Sequence, residues 1–191
     1  MLKKILSVFL VLFSFTLVGA KANGIVRTLG HETAPVVIQE FSSLTCPYCA
    51  KFHKEIYPEL VKKYVETGKV RIVYRNYPLD NVAMAAAMLG LSIDKRKYFA
   101  YLQYAYQNQT QLTQTPLQTL HKWANMAGLS KAQTDKILKN NNLLNAIVAD
   151  MKKIDKIYNL KGTPLIYIGT TQYQGKLNKK DFFAELDKVV K

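Results

Sequence analysis

Cysteine is scarce in this sequence: of its 191 residues two are cysteine, Cys46 and Cys49, three positions apart. A disulfide that stabilises a secreted fold usually closes a long loop, because a long loop restricts the unfolded chain more. The short loop between these two cysteines provides little of that stabilisation. The spacing therefore disfavours a structural role for the pair and indicates a chemical one.

The sequence is also poor in other ligands for a metal ion or a haem. A structural zinc site needs four ligands, and besides the cysteines the chain offers His31, His53 and His121. Covalent haem attachment requires a histidine directly after the second cysteine, and Ala50 occupies that position. We expect no metal and no organic cofactor, with a zinc site and a structural disulfide as the alternatives.

Arginine and acidic residues are few, although the chain is strongly basic. Its formal net charge is +14, from 27 basic and 13 acidic residues. Four of the basic residues are arginines, and the lysines are spread along the whole chain. A nucleic-acid surface typically clusters Arg and Lys on one patch. We therefore predict no nucleic-acid partner and interpret the charge as a solvated lysine surface.

The sequence lacks an apolar run of the roughly 20 residues that span a bilayer. Residues 5–18 form a shorter apolar run after two lysines, and Ala20-Lys21-Ala22 places small residues at alternate positions. This pattern predicts a secretory signal over residues 1–22, cleaved after Ala22. Cleavage would leave 24 basic against 13 acidic residues, a net charge of +11. A retained N-terminal anchor is the alternative, but no nearby cysteine offers a site for a lipid anchor.

The spacing of apolar residues predicts a core of strands and helices whose sequence is interrupted by an all-helical block. Strands are predicted at 25–29, 36–41, 70–77 and 165–168, with 172–174 pairing to the last of these. The helix from Pro47 buries every fourth residue and is kinked by Pro58. The predicted order is β-β-α-β, an all-helical block at 81–158, then β-β-α. The domains follow as a core of 23–80 with 159–191, and an inserted helical domain of 81–158.

For two helices the sequence predicts which side chains are buried. The first helix is predicted to bury Phe52, Ile56, Leu60 and Tyr64. The C-terminal helix, at 179–190, is predicted to turn five apolar side chains inward: Phe182, Phe183, Leu186, Val189 and Val190. Within the block, helices are predicted around 83–88 and at 98–106, 117–126, 131–138 and 145–158.

The Cys46-Pro47-Tyr48-Cys49 motif lies at a predicted helix start, where Pro47 suits the first turn. Unpaired backbone N–H groups and the positive end of the helix dipole favour a thiolate on Cys46. In such sites the pKa of a thiol falls from about 8.5 to between roughly 3.5 and 7.5. Cys46 is predicted to be the exposed, exchanging thiol. Cys49 is predicted to be buried and to resolve the mixed disulfide.

Three further positions carry open alternatives. Glu40, in an apolar strand, either points to solvent or is a buried proton acceptor near Cys49. Pro164, after Thr163, opens a strand, and cis accounts for only about 5–6% of such bonds in folded proteins. His53 either tunes the thiols or is a helix-surface or packing histidine, the interpretation we favour here.

These residues together resemble a known family. The segment from Glu40 through Phe41-Ser42-Ser43-Leu44-Thr45 to the cysteine motif, and the later Gly162-Thr163-Pro164, are similar to the DsbA-like branch of the thioredoxin superfamily. The resemblance covers the chain after residue 22. It implies an α/β thioredoxin-like fold, a central mixed sheet flanked by helices, with an inserted all-helical domain.

The resemblance also implies how the site works. Pro164 would be cis and face the two cysteines, the Thr163 backbone would pair with an incoming peptide, and Glu40 would be the buried carboxylate. The protein would be a periplasmic oxidase that introduces disulfides into unfolded or reduced secreted proteins. A DsbB-like, quinone-linked membrane oxidase would restore its Cys46–Cys49 disulfide. Too few residues precede the core for a dimerisation domain, so we expect a monomer.

The motif departs from the best-known oxidases of the family at one position. Tyr48 stands where they have a histidine, which can add positive charge beside Cys46. Its loss predicts a less acidic Cys46 and a less oxidising disulfide. A reductase or isomerase of the same fold therefore remains an alternative. So does a non-catalytic, chaperone-like binding module.

Overall fold

A mixed five-stranded sheet forms the centre of the protein, as the sequence predicts. The computed structural model describes residues 24–190, and the predicted signal over residues 1–22 lies outside the described residues. The strands are β1 (Arg27–Leu29), β2 (Val36–Ser42), β3 (Val70–Asn76), β4 (Leu165–Ile168) and β5 (Thr171–Gln174). Their spatial order is β1-β3-β2-β4-β5.

The strand β2 lies at the middle of the sheet and leads into the cysteine motif. It pairs in parallel with β3 and antiparallel with β4. In this register Glu40 of β2 lies between Tyr74 and Ile166. The predicted pairing of residues 172–174 with the fourth strand is confirmed, because β5 runs antiparallel to β4. The sheet therefore places the end of β2 beside the start of β4.

The helix after the motif is interrupted close to Pro58, where the sequence predicts a kink. Helix α1 covers Pro47–Glu55, α2 covers Tyr57–Leu60, and a π-helical turn covers Val61–Val65. Pro58 has no N–H to donate to a preceding carbonyl, which breaks the regular helix. The predicted buried face is confirmed, since none of its four side chains is more than 9% exposed.

The segment between β3 and β4 is helical throughout, with no strand between residues 77 and 164. Its α-helices, with one 3-10 turn at Lys95–Lys97 between the first two, are α3 (Asn81–Ser92), α4 (Tyr98–Gln107), α5 (Gln109–Gln114), α6 (Pro116–Met126), α7 (Lys131–Leu138) and α8 (Asn141–Tyr158). The inserted helical block is thus present. Its separation as a domain with boundaries at 81 and 158 stays a prediction.

Two helices of the block differ from the prediction. Helix α5 was not predicted, because its sequence is mostly polar and has no apolar periodicity. Helix α8 starts at Asn141, four residues earlier than predicted. The side chain of Asn140 accepts a hydrogen bond from the N–H of Leu143, and this cap stabilises the first turn.

An apolar cluster lies between the sheet and the helices that cover one of its faces. On one side, α1 and the C-terminal helix α9 (Lys179–Val189) cover the sheet with Phe52, Phe182 and Leu186. The prediction that Val189 turns inward is wrong, because its side chain is 39% exposed. It lies in the last turn of α9, past the part of the helix that packs on the sheet.

No helix within residues 24–190 is long and apolar enough to cross a bilayer.

Candidate active site

Cys46 is the N-cap residue of α1, where the chain leaves β2 and turns into the helix. Its backbone is extended, with φ −75° and ψ 123°, and Pro47 follows at the first helical position. The N–H of Cys46 donates to the carbonyl of Ser43, and its own carbonyl accepts from the N–H of Ala50. The Cys46 sulfur therefore lies at the open end of the helix, where N–H groups without helical partners favour negative charge.

The loop before β4 covers the Cys46 sulfur. The peptide bond between Thr163 and Pro164 is cis, as the family resemblance implies. When Cys46 is protonated, its thiol donates a hydrogen bond to the carbonyl of Thr163 over 3.2 Å. Because this loop lies against it, Cys46 is only 5% exposed, and the prediction of an exposed thiol is wrong. An incoming thiol must approach between the motif and the loop.

The two thiols differ strongly in acidity. The pKa of Cys46 is lowered to about 5, first by a hydrogen bond from the Cys49 side chain and then, against the opposing effect of burial, by Thr163 and the N–H groups of Cys49 and Tyr48. The Thr163 hydroxyl is buried and has no hydrogen-bond partner among residues 24–190. Burial, together with the neighbouring Cys46, raises the pKa of Cys49 well above its usual value. The site therefore holds one thiolate and one neutral thiol at neutral pH.

We expect alkylation of the reduced protein by iodoacetamide to show this difference. The thiolate is the reactive form, so the rate at Cys46 should rise with pH to a plateau, with its midpoint near pH 5. Cys49, which is fully buried, should stay unmodified. Peptide mass analysis of quenched samples across the pH range gives both rates. A midpoint near 9.0, the value of an unperturbed thiol, would contradict the assignment.

A buried polar network lies beneath α1 on the side of the sheet. The Glu40 carboxyl is 1% exposed and accepts from the Ser42 hydroxyl over 2.7 Å. It is also bonded to Nε2 of His53 over 2.8 Å, while Nδ1 of His53 lies 3.2 Å from Oε1 of Gln103. The Gln103 amide in turn donates to the His53 carbonyl. The network therefore runs from the central strand through α1 to the half-buried Gln103 of α4.

Aromatic rings hold the imidazole of this network in place. His53 is stacked between Tyr106, with ring centroids 4.0 Å apart, and Tyr57, 4.5 Å away. The Tyr106 hydroxyl lies 2.9 Å from the hydroxyl of Tyr74. Burial first, and then the neighbouring Cys49, raise the pKa of Tyr106, which keeps its hydroxyl neutral. These contacts hold the imidazole between two tyrosine rings, and one of these tyrosines, Tyr106, also lies near Cys49.

The structure brings the predicted site residues together around the end of β2. Cys46, Pro47 and Cys49 form the first turn of α1, Thr163 and Pro164 face the motif, and Glu40 lies in the strand below. Tyr48 is the outward member of the motif, 48% exposed. Of the two alternatives for Glu40, the structure has the buried side chain, and its role as a proton acceptor near Cys49 stays a prediction. The alternation of side chains along β2 could have indicated that Glu40 is buried, because Glu40 shares the face of Val36 and Ile38.

Of the alternatives for His53, the structure has the packing histidine, because its side chain is buried and stacked between two tyrosines. Sequence reasoning missed two contributors to the site. Gln109 and Tyr106 come from the helical block, 63 and 57 residues after Cys46 and Cys49, and no local pattern connects them to the motif. Among residues 24–190, no group of three His, Cys, Asp or Glu side chains could hold a metal ion.

Comparison with known proteins identifies the family. A family model described as thioredoxin matches residues 22–188. The chain therefore belongs to the thioredoxin family.

Curated relatives carry names that refer to disulfide chemistry. A putative protein-disulfide oxidoreductase of Rickettsia conorii is 27% identical over 153 residues, covering 75% of this chain and 53% of that protein. A second, of Rickettsia bellii, is 24% identical over 165 residues, covering 85% of this chain and 63% of that protein. A probable disulfide bond formation protein D of Bacillus cereus is 25% identical over 165 residues, with coverages of 82% and 73%. The chain thus spans little more than half the length of the Rickettsia relatives.

Solved structures share the fold. Alpha-DsbA1 of Wolbachia pipientis superposes with a TM-score of 0.80 at 24% identity, covering 86% of this chain and 90% of that one. BdbD of Bacillus subtilis superposes with a TM-score of 0.74 at 19% identity, with coverages of 87% and 93%. At these identities the likeness establishes the arrangement of the sheet and the helical block. The predicted fold class is confirmed.

Proposed function

We propose that the chain is a protein-disulfide oxidase, which introduces disulfide bonds into proteins by thiol–disulfide exchange through Cys46 and Cys49. The observation that carries this proposal is the stabilised thiolate of Cys46 at the N-terminus of α1. A more stable thiolate favours the reduced form of the site, and the corresponding disulfide is then a stronger oxidant. The names of the curated relatives agree with this chemistry.

The reaction begins with the Cys46–Cys49 disulfide. A substrate thiolate attacks the sulfur of Cys46, forms a mixed disulfide and breaks the bond to Cys49. The departing sulfur of Cys49 binds a proton, because burial raises its pKa. A second thiolate of the substrate then attacks the substrate's own sulfur in the mixed disulfide. Cys46 leaves as a stable thiolate, and two electrons have passed from the substrate to the protein.

The loop before β4 supports a role in holding the substrate. Thr163 presents its carbonyl to Cys46, so an extended peptide that pairs with this backbone would bring its cysteine to the same sulfur. Thr163, Pro164 and Glu40 are therefore proposed as supporting residues, together with Pro47 and Tyr48 of the motif. The proposed substrates are unfolded or reduced secreted proteins, which have cysteines in extended segments.

The proposed setting is the periplasm, reached through the predicted signal over residues 1–22. Disulfides persist in that compartment, whereas reductants remove them in the cytosol. A DsbB-like, quinone-linked membrane oxidase is the proposed partner that reoxidises Cys46 and Cys49. The redox-active disulfide is the proposed working group, without a metal or organic cofactor, and the working form is proposed to be a monomer.

One observation favours a reductase or isomerase as the second candidate. Tyr48 occupies the position beside Cys46 where a histidine could add positive charge, and it is half exposed. A tyrosine stabilises the thiolate through its backbone N–H alone. The disulfide would then be less oxidising, which suits a protein that reduces or rearranges disulfides.

The reduction potential of the Cys46–Cys49 pair distinguishes the two candidates. The protein, starting at residue 23, would be equilibrated with glutathione buffers, and its thiols trapped and counted by gel shift. We expect a potential above about −180 mV, in the range of oxidising catalysts. A potential near the roughly −270 mV of thioredoxin would overturn the oxidase proposal and favour the reductase.

A further inference from the structure

A glutamine of the helical block holds the loop that contains Cys46. The side-chain nitrogen Nε2 of Gln109, at the start of α5, donates to two backbone carbonyls of that loop. It lies 2.9 Å from the carbonyl oxygen of Leu44 and 2.9 Å from that of Cys46. One amide group, 63 residues away along the chain from Cys46, therefore connects the inserted helices to the reacting cysteine.

The carbonyl of Cys46 is the point at which this contact can influence the chemistry. Its oxygen also accepts the N–H of Ala50, the first hydrogen bond of α1. Rotation about ψ of Cys46 moves this oxygen and changes the angle between the Cys46 side chain and the helix that follows. Gln109 fixes the oxygen from outside the helix, and so fixes the direction in which the N–H groups of Tyr48 and Cys49 face the sulfur.

The rest of the loop is held independently of Gln109. The Thr45 hydroxyl donates to Asp80 over 2.6 Å, and the Ser43 hydroxyl accepts from the N–H of Leu79. Asp80 is itself fixed, because its carboxylate caps α3 by accepting from the N–H of Ala83. Loss of the Gln109 contact should therefore leave the loop in place and release mainly the peptide plane after Cys46.

We propose that Gln109 is a positioning residue for thiol–disulfide exchange, and that it acts by holding the Cys46 carbonyl so that the start of α1 faces the Cys46 sulfur. The inference rests on the proposed function only in taking Cys46 as the exchanging thiol. It assigns to the helical block a part in setting the reactivity of the motif. The direction of electron flow in the cell does not enter it.

The test compares two glutamines of the same helix. Gln109→Met keeps the length of the side chain and removes its donor, while Gln111→Met is the matched control, since Gln111 is exposed and its side chain bonds only to that of Asn108 among residues 24–190. The pKa of Cys46 would be read in the reduced proteins from thiolate absorbance against pH. If the freed peptide plane turns one backbone N–H of Tyr48 or Cys49 away from the sulfur, the thiolate loses one hydrogen bond, which predicts a rise of about 0.5–1 pKa unit in Gln109→Met, a roughly three- to tenfold weaker stabilisation of the thiolate. Gln111→Met should titrate like the unmodified protein.

Equal titration of the two variants, with both folded, would overturn the proposal. If Gln109→Met does not fold, Gln109→Leu replaces it, because leucine has no donor for the two carbonyls and adds no charge that would itself shift the pKa of the thiolate. It too should raise the pKa of Cys46, and an unchanged value would overturn the proposal. A thioredoxin-like reduction potential in the unmodified protein would reject the oxidase function, yet the titration would still decide the role of Gln109.

Discussion

Cys46→Ser should abolish the reaction of the protein with oxidised glutathione, whereas Cys49→Ser should form a mixed disulfide with one glutathione per chain. At pH 7 a thiol with a pKa of about 5 is almost wholly ionised, and in Cys49→Ser the serine hydroxyl can still donate the hydrogen bond by which the side chain at this position lowers the pKa of Cys46. A thiol with a pKa above 9 is ionised to less than about 1% at that pH. The thiolate is the attacking form, so the two variants should differ in initial rate by at least about a hundredfold. Mass spectrometry of samples quenched in acid measures the adduct.

The comparison is informative because removal of Cys46 does not free Cys49. Burial is the first cause of the raised pKa of Cys49, and it remains when the neighbouring sulfur is absent. The Cys49 side chain is fully covered in the structure. Comparable rates for the two variants would mean that the roles of the cysteines are wrongly assigned. The double variant, with both cysteines replaced by serine, gives the background of the assay.

His53→Leu should lower the free energy of unfolding by about 1–3 kcal/mol, the range found when a buried polar group loses a hydrogen-bond partner. The Glu40 carboxyl would keep the Ser42 hydroxyl as its hydrogen-bond donor among the described side chains. It would remain buried at 1% exposure, without the imidazole 2.8 Å away. Urea unfolding of the reduced protein, followed by circular dichroism, measures the change.

His121→Leu is the matched control for this prediction. His121 is also bonded to a carboxylate, that of Asp135 over 3.1 Å, but the carboxylate is 41% exposed. Its loss should cost no more than about 1 kcal/mol, as for other exposed pairs. A cycle with Glu40→Leu should give a coupling of about 0.5–3 kcal/mol between His53 and Glu40. Equal costs for the two histidine variants would show that the buried pair adds nothing to stability.

The order of the elements could be predicted from the sequence because each rests on a local pattern. The apolar run of β2 is recognisable from a few neighbouring residues. The same holds for the apolar residue at every fourth position from α1 onward and for the kink caused by Pro58. Helix α5 could not be predicted in this way, since its polar sequence has no buried stripe. Its position comes from Leu112, one fully buried side chain among exposed neighbours.

The active site was predictable only in part. The motif and the helix start that favours a thiolate on Cys46 follow from adjacent residues. The burial of Cys46 could not be predicted from adjacent residues, because Thr163, which covers it, is 117 residues away along the chain. The cis bond before Pro164 came from the family resemblance, since local physics favours trans. The pairing of His53 with Glu40 depended on α1 packing over the sheet.

Local sequence patterns were enough to predict which residues are candidates for disulfide exchange and which elements present them, because helix starts, strand alternation and the spacing of two cysteines are short-range properties of the chain. The tertiary structure decided which groups surround the sulfurs. Thr163, Tyr106 and Gln109 reach the motif through the folding of segments far apart in the sequence. The reactivity of a thiol depends on burial, hydrogen bonds and nearby charge within a few ångströms, and only the packed fold sets these.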